Sequence, residues 1–533
     1  MTVYVPEEFT APEADVLRRY FSNLDGPVFA LVNLPEVVKG ALFARYSRSS
    51  KSLRRLFIDE FVGELDISGD QTVDATIGLE RAEELYEKVF YEYGDDSVAQ
   101  LGGVHLACEQ ASNLLTKVLE WGRLMSYLEQ STRYISYDAR LGGRYRFYRD
   151  PAILSSRFGT RYVGDMDRMF DAYSMMVNRV TDHVRATVRR DPADSDFVFR
   201  QATRAKALDA VRGVLPAASL SNVGIYGSGQ AFEALLLRMR AHPLPEARHY
   251  ADLMLHELRK VIPSFLRRVD VADRGGRWST YLADTQRNTG ALVESLFGGV
   301  PVETADSVTL VDFDPDAEDK LIAALCYPHL QLPESQIIER VRGLSFDDRA
   351  ALLRAYVGDR ENRRHKPGRA FERSGYRFDV LSDYGSFRDL QRHRMLTIEW
   401  QSLTPNHGYA RPELVDEAGL TDIFDDSMAR SAALFDALKS DFPAQAGYAV
   451  SMAYRLRYSM QFNAREAIHL LELRSAPQGH PAYRRVALEM HRQIAEVAGH
   501  RAIAAAMTHM TTEAPELERL AAERRAEARR QST

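Results

Sequence analysis

The sequence predicts an α+β protein built from two similar domains in tandem. Its 533 residues exceed what one hydrophobic core usually organises. Three segments of the first half recur in the same order in the second: a strand followed by a helix, an arginine-containing segment, and a closing helix. A composition of 45% hydrophobic and 27% charged residues is typical of an ordered globular chain.

The first recurring segment is a short apolar strand followed by a helix. Residues 27–32 (PVFALV) form an apolar run suited to a buried strand, and a helix start signal follows at 35–36. Residues 307–313 repeat the strand, and residues 314–318 repeat the helix start. The pattern therefore predicts one such unit at the beginning of each domain.

The closing helix and the glycine-rich junctions predict the domain boundaries. Residues 232–240 and 465–474 both have an apolar helical face with arginine at the far end. Glycine and proline interrupt the pattern around 272–305. We therefore predict an N-terminal domain at 1–275, a linker at 276–305, a C-terminal domain at 306–512 and a charged helical tail at 513–533.

Composition also excludes several classes of function. A formal net charge of -6 argues against a general nucleic-acid or membrane-surface binder. Cys108 and Cys326 fit no metal-ligand spacing and no disulfide framework, so we expect no metal and a reducing cytoplasm. No stretch approaches the ~20 apolar residues that cross a bilayer. No glycine-rich dinucleotide or phosphate loop occurs, so a Rossmann-like nucleotide site is not indicated.

The arginine-containing segment is the most informative of the three. It reads Arg-His-Arg at residues 392–394, whereas residues 121–123 read Trp-Gly-Arg. The first copy continues with Ser126, Ser131 and Arg133, while the second has Thr397, Ser402 and Thr404 at those places. Each copy lacks residues that the other keeps. This complementarity predicts two halves that cooperate to make one kind of site.

These residues resemble the signature of the flavin-dependent thymidylate synthases, the ThyX family, which reads RHRxxSxxxxSxR. A second family motif, Asn-x-Arg with an arginine eleven places after the Asn, matches Asn463, Arg465 and Arg474. A third, an arginine just before Val-Leu-Pro, matches Arg212. A fourth family segment survives only in traces that include Ser97. The resemblance spans most of both halves and implies two tandem domains, each a small, mostly antiparallel sheet packed with long helices.

The resemblance also implies an activity. Family members carry out the reductive methylation of dUMP to dTMP with FAD as cofactor and with methylenetetrahydrofolate and NADPH as co-substrates. Two alternatives stay open: C5 methylation of another uridine nucleotide, and a non-catalytic paralogue that only binds flavin or nucleotide. Because family enzymes are homotetramers with sites shared between subunits, we expect a homodimer of this tandem chain to mimic that tetramer.

The resemblance assigns two sets of site residues. The nucleotide set comprises Glu129, Gln130, Ser131, Arg133, Arg212 and Arg474. The flavin set comprises Arg392, His393, Arg394, Asn463, Arg465, His469, Ser97 and Glu129. Arginine suits anionic ligands because its planar fork binds phosphate in two-point contact and stays charged. Arg474 is the expected catalytic residue, because a fixed cation stabilises negative charge that develops on the pyrimidine. Ser131, Arg133 and Arg212 are expected on the first-half, phosphate-binding side of a composite site.

Overall fold

The computed structural model describes residues 4–34, 36–62, 102–303 and 305–532. The strands of the first half are Val28–Leu31 (β1), Gly103–Ser112 (β2), Met125–Glu129 (β3) and Leu220–Ser228 (β4). Those of the second half are Val308–Phe313 (β5), Gly375–Asp383 (β6), Leu396–Trp400 (β7) and Arg455–Asn463 (β8).

Helices surround both sets of strands. The first half contains Ala11–Leu17 (α1), Glu36–Tyr46 (α2), Leu53–Glu60 (α3), Asn113–Leu119 (α4), Pro151–Leu154 (α5), Gly159–Thr187 (α6), Asp196–Val211 (α7), Gly229–Ala241 (α8), Pro245–Leu258 (α9) and Gly275–Phe297 (α10). The second half contains Ala317–Cys326 (α11), Glu334–Arg342 (α12), Phe346–Val357 (α13), Tyr384–Leu390 (α14), Glu413–Glu417 (α15), Thr421–Leu438 (α16), Ala464–Ser475 (α17), Pro481–Glu496 (α18), Arg501–Ala505 (α19) and Leu520–Ser532 (α20).

The two sheets have the same strand order and direction. The first runs β1-β2-β4-β3 and the second β5-β6-β8-β7, and every pairing is antiparallel. The central pairs also correspond, because Gly103 lies opposite Ser228 and Gly375 lies opposite Asn463. This equivalence confirms the predicted α+β fold and the predicted duplication.

Side-chain alternation explains why one face of the second sheet is buried. In β6, Tyr376, Phe378 and Val380 are buried while the residues between them are partly exposed. Alternation with a period of two is what a strand with one face on a core requires. In β1, by contrast, all four residues are buried. Its core with the N-terminal helices includes Leu17, Phe21, Phe29, Leu42, Phe57.

The chain divides into two compact units that are not continuous in sequence. Unit 1 comprises residues 1–174, 214–302 and 425–450, and unit 2 comprises residues 175–213, 303–424 and 451–533. Each unit contains one of these two sheets. Residues 175–213 of the first half therefore belong to unit 2, with the sheet of the second half. Residues 425–450 of the second half belong to unit 1, with the sheet of the first half.

Residues predicted to be a linker and a tail both take up helical structure. The range 276–305 contains most of α10 and falls largely in unit 1. The range 513–533 contains α20 and belongs to unit 2. There, Arg519 Nη2 lies 3.2 Å from Asp209 Oδ1, and Arg524 Nη2 lies 2.9 Å from Asp194 Oδ2. Ion pairs thus tie the charged C-terminal segment to the region of α7.

Within the residues that the structure describes, no helix combines the length and the apolar character that a membrane crossing requires.

Candidate functional site

Three arginines surround one buried carboxylate in unit 2. Asp389, on α14, is 5% exposed. Arg212 Nη1 lies 3.4 Å from Asp389 Oδ2, Arg474 Nη1 lies 3.8 Å from Asp389 Oδ1, and Arg392 forms an ion pair with that same Oδ1. We call Arg212, Arg392, Arg474 and Asp389 the arginine cluster. Three cations around one carboxylate leave a positive excess, which favours binding of an anion.

The guanidinium group of Arg212 presents unpaired donors. Among the described residues, its buried Nε and Nη2 atoms have no hydrogen-bond partner. A Cβ atom built on Gly385 would lie 3.0 Å from Asp383 Oδ1 and 3.3 Å from both of these nitrogens. The absence of a side chain at Gly385 therefore keeps the guanidinium edge uncrowded, with one carboxylate oxygen nearby. Because a buried donor without an acceptor costs free energy, an oxyanion at this edge would stabilise the arrangement.

A cavity of about 490 Å³ lies beside this edge, within unit 2. Arg212, Gly385 and His480 contribute to its wall, which also carries basic side chains (Lys206, Arg411, Arg485) and acidic ones (Asp209, Asp383, Glu413, Glu417, Glu518). Small-molecule sites typically occupy ~300–1,000 Å³. The cavity is thus large enough for a nucleotide and has an unpaired arginine edge in its wall.

His393 connects the Arg-His-Arg segment to α17. Its Nδ1 lies 3.1 Å from Glu466 Oε1, and Arg474 Nε donates to its Nε2 at 2.9 Å. Burial, followed by the charge of Arg474, lowers the pKa of His393 well below its ordinary range. Burial also raises the pKa of Glu466 to about 7. The imidazole is therefore a neutral, buried ring with a contact at each nitrogen.

Other residues of the expected flavin set lie in the same unit. Asn463 caps α17 by accepting a hydrogen bond from Glu466 N at 2.9 Å. Arg465 Nη1 lies 3.0 Å from Glu372 Oε1. Arg394 is exposed, and His469 is half-buried with its ring centroid 5.4 Å from that of His393. Unit 2 therefore contains eight of the expected site residues: Arg212, Arg392, His393, Arg394, Asn463, Arg465, His469 and Arg474.

One group of side chains has the spacing of a metal site. His393, Glu466 and His469 offer three ligand atoms within 4.8 Å of one another. Burial and then the charges of Lys366 and Arg363 lower the pKa of His469 to about 4. Such cations repel a metal ion as well as a proton, so this group suits a hydrogen-bond network better than a metal.

The expected first-half residues lie in unit 1, around the end of β3. Lys117 Nζ lies 3.1 Å from Glu129 Oε2, and both side chains are buried. Gln130 donates its side-chain amide to Ser49 O at 2.6 Å. Arg133 is 8% exposed, and its backbone N donates to Ser131 Oγ. Glu129, Gln130, Ser131 and Arg133 are thus close in sequence and in space, whereas Arg212 belongs to unit 2. Ser97 lies outside the described residues.

Equivalent positions of the two sheets show why only unit 2 has the arginine cluster. The N-caps Ser112 and Asp383 match, which places Val118 where unit 2 has Asp389. Matching the N-caps Ser228 and Asn463 places Met239 at the position of Arg474. Without the carboxylate and this arginine, the equivalent cluster does not form in unit 1.

The place of His393 is closed in unit 1. Gly122 occupies the corresponding position, and a Cβ built there would lie 2.6 Å from Tyr127 Oη. Tyr127 Oη donates to Gly122 O at 3.1 Å, and Arg238 lies 5.1 Å from the ring centroid of Trp121. Side chains of unit 1 therefore fill the space that the Arg-His-Arg segment uses in unit 2.

Three residues of the site were missed in the sequence. Asp389 lies three residues before Arg392, a spacing that places the two side chains on one helical face. That spacing was an available signal. Gly385 and Glu466 carried none, because their importance depends on contacts with Arg212 and His393 from distant parts of the chain.

We expect Asn463→Ala to lower the free energy of unfolding by about 1 kcal/mol, because the helix loses its side-chain cap. Asn463→Ser keeps a capping oxygen and should cost much less. Urea unfolding of both variants measures the difference, and flavin titration shows whether binding follows the cap. Equal destabilisation by serine and alanine would contradict the capping role.

Comparisons with known proteins agree with this geometry. The family model described as "Thymidylate synthase complementing protein" matches residues 41–264 and 309–499. The chain is 37% identical over 492 residues to a UPF0159 protein of Chlamydia pneumoniae, covering 92% of this chain and 93% of that protein. It is 31% identical over 515 residues to a UPF0159 protein of Thermoplasma acidophilum, covering 91% and 97%. Both domains carry the match, and the chain belongs to the thymidylate synthase complementing protein family.

Proposed function

We propose that the protein catalyses the FAD-dependent reductive methylation of dUMP to dTMP, with methylenetetrahydrofolate and NADPH as co-substrates. The observation that carries this proposal is the arginine cluster with the unpaired edge of Arg212 beside a cavity. Family membership supports the general activity. The positive excess and the unpaired donors support an anionic ligand, which a nucleotide monophosphate provides.

The cluster also supports a site composed of both halves. Arg212 comes from the first half of the sequence, whereas Arg392 and Arg474 come from the second, and all three lie in unit 2. Neither half alone supplies this set of cations. In the proposed enzyme, Glu129, Ser131 and Arg133 complete the nucleotide site.

The residues of unit 2 fit a flavin dinucleotide through charge. Arg392, Arg394 and Arg465 provide cations for its diphosphate. His469 is half-buried, with its ring centroid 5.4 Å from that of His393. When bound, the flavin supplies the redox chemistry and carries the hydride. The chain's own residues bind and orient it.

Arg474 has the role of polarising the uracil in this proposal. Its side chain is 13% exposed and contacts His393 and Asp389. A preorganised cation at the pyrimidine stabilises negative charge there, which makes C5 nucleophilic without a protein nucleophile. The arginine acts by charge and by position.

Purification and genetic complementation test the activity. The purified protein should be yellow or become so with added FAD, and it should rescue a thymidine auxotroph. A protein that binds no flavin contradicts the enzyme proposal. A flavin-loaded protein that fails to rescue indicates another uridine nucleotide as substrate, and flavin or nucleotide binding without any turnover indicates a non-catalytic paralogue.

We expect Gly385→Ala to weaken binding of dUMP by about tenfold or more. The added methyl would lie 3.3 Å from Arg212 Nε and Nη2 and 3.0 Å from Asp383 Oδ1, where it crowds the guanidinium edge proposed to bind a phosphate oxygen. Calorimetric titration with dUMP and with inorganic phosphate measures the loss. Gly343→Ala is the matched control, because its added Cβ would meet only Arg340 O, at 3.4 Å. Gly419→Ala is unsuitable, because Gly419 has a positive φ. Unchanged phosphate binding in Gly385→Ala would place the anion elsewhere.

Mixing two inactive variants tests the composite site and the proposed homodimer. Arg133→Ala and Arg474→Ala should each abolish nucleotide binding. If the site is shared between chains, subunit exchange restores up to about a quarter of wild-type activity, because about half of all dimers become mixed and each mixed dimer carries one intact site out of two. No recovery after exchange indicates a site within one chain. Full activity of either variant alone would contradict the composite site. Arg492→Ala, an exposed arginine on α18, serves as the matched control.

A further inference from the structure

A chain of three side chains links Glu466, His393 and Arg474 in unit 2. Glu466 Oε1 lies 3.1 Å from His393 Nδ1, and Arg474 Nε donates to His393 Nε2 at 2.9 Å. Glu466 and His393 are both 6% exposed. The chain begins and ends on α17 and passes through a residue that follows α14. His393 therefore connects two side chains of one helix.

Hydrogen-bond chemistry fixes the direction of this chain. A guanidinium group is only a donor, so His393 Nε2 must accept and carries no proton. In the neutral ring, the proton then resides on Nδ1 and is donated to Glu466 Oε1. The lowered pKa of His393 agrees with a neutral ring. One arrangement of protons satisfies all three groups.

Three contacts then determine the orientation of the Arg474 guanidinium. His393 accepts from its Nε, Asp389 lies 3.8 Å from its Nη1, and its Cζ lies 5.4 Å from the ring centroid of Tyr483. The contact with His393 restricts the rotation of the guanidinium group. The contact with Asp389 restricts its outer end, and the contact with the Tyr483 ring restricts its plane. These three contacts together restrict the positions that the long Arg474 side chain can take.

We propose that His393 and Glu466 are positioning residues for Arg474, a role that rests on the proposed function. The acidic residue holds the imidazole, and the imidazole holds the guanidinium where it polarises the uracil ring. This role differs from the flavin contact that the family resemblance implies for His393. The buried ring, with both nitrogens in contact with side chains of this protein, supports it.

Ligands with and without the base separate positioning from general damage. We compare dUMP with 2-deoxyribose 5-phosphate by calorimetry, using the flavin-loaded protein. His393→Leu removes the acceptor and should weaken dUMP binding by about tenfold, while the base-free ligand loses no more than about twofold. His393→Gln places an amide oxygen near the position of Nε2 and should recover most of the loss. Glu466→Leu should resemble His393→Leu, and Glu466→Gln, which can still accept from Nδ1, should lie close to wild type.

Glu472 provides a matched control on the same helix. Its carboxylate is buried and lies 2.6 Å from Arg360 Nη1, away from the His393 contacts. Glu472→Gln should reduce stability without changing the ratio of the two affinities. Equal losses for both ligands in His393→Leu, or equal behaviour of His393→Leu and His393→Gln, would overturn the proposal.

A binding-independent measurement separates this proposal from the proposed function. If the wild-type protein binds neither ligand, the proposed function fails, and urea unfolding then decides the positioning role. When His393 is present, the change in the unfolding equilibrium constant of the Glu466→Leu/Arg474→Leu double variant should differ by about threefold from the product of the two single changes. In the His393→Leu background, the double change should equal that product. Multiplicative effects in both backgrounds would overturn the coupling through His393.

Discussion

Asp389→Asn is expected to lower the free energy of unfolding by about 3–5 kcal/mol. The substitution preserves shape but removes the charge of the carboxylate that contacts Arg212, Arg392 and Arg474. Removing one partner from a buried ion pair leaves charge that is neither solvated nor compensated, and the cost is of this order. Urea unfolding followed by circular dichroism measures it.

Inorganic phosphate should recover part of that loss. An anion bound to the folded protein stabilises it by about 2.7 kcal/mol at a hundred times its dissociation constant. Asp379→Asn is the matched control, because Asp379 is partly exposed and pairs with Arg457 on a strand of the second sheet. Loss of this exposed ion pair should lower the free energy of unfolding by less than ~1 kcal/mol. If both variants behave alike and neither responds to phosphate, Asp389 does not hold the arginines together.

Arg474→Lys is expected to lower kcat by about 10²–10³ while flavin binding persists. Lysine keeps the positive charge but lacks the Nε donor that contacts His393 and the planar group that lies over Tyr483. Losing one preorganised donor at the developing charge costs an enzyme a factor of this size. Steady-state kinetics with dUMP and NADPH measures kcat and KM separately.

The matched control for this substitution is Arg492→Lys, on an exposed turn of α18 where both partners are surface glutamates. It should retain wild-type kinetics. A kcat for Arg474→Lys within about threefold of wild type would show that position matters less than charge. Loss of bound flavin would instead assign Arg474 to cofactor binding.

Much of the fold was predictable because it depends on local patterns. The strand at residues 27–32 and its repeat at 307–313 were visible as apolar runs, and they form β1 and β5. The closing helices α8 and α17 were visible from their apolar faces. The duplication followed from the order of these segments, which the two equivalent sheets reproduce.

The grouping of the site residues was not predictable. The sequence associates Arg212 with Ser131 and Arg133 because all three lie in the first half, yet Arg212 contacts Asp389. That contact joins residues 177 positions apart, and no periodic pattern encodes it. The capping role of Asn463 was also not predicted, because the family motif assigned this asparagine to flavin binding. In the structure its side chain caps the N-terminus of α17.

The division of the chain into units constrains the order of events during synthesis. Unit 1 includes residues 425–450, so it stays incomplete until most of the second half has left the ribosome. Residues 175–213, which emerge early, belong to unit 2 and must wait for β6 and β8. Both units are therefore completed later in translation than two domains continuous in sequence would be. Neither half of the sequence contains a complete unit, so expression of either half alone would leave both units incomplete.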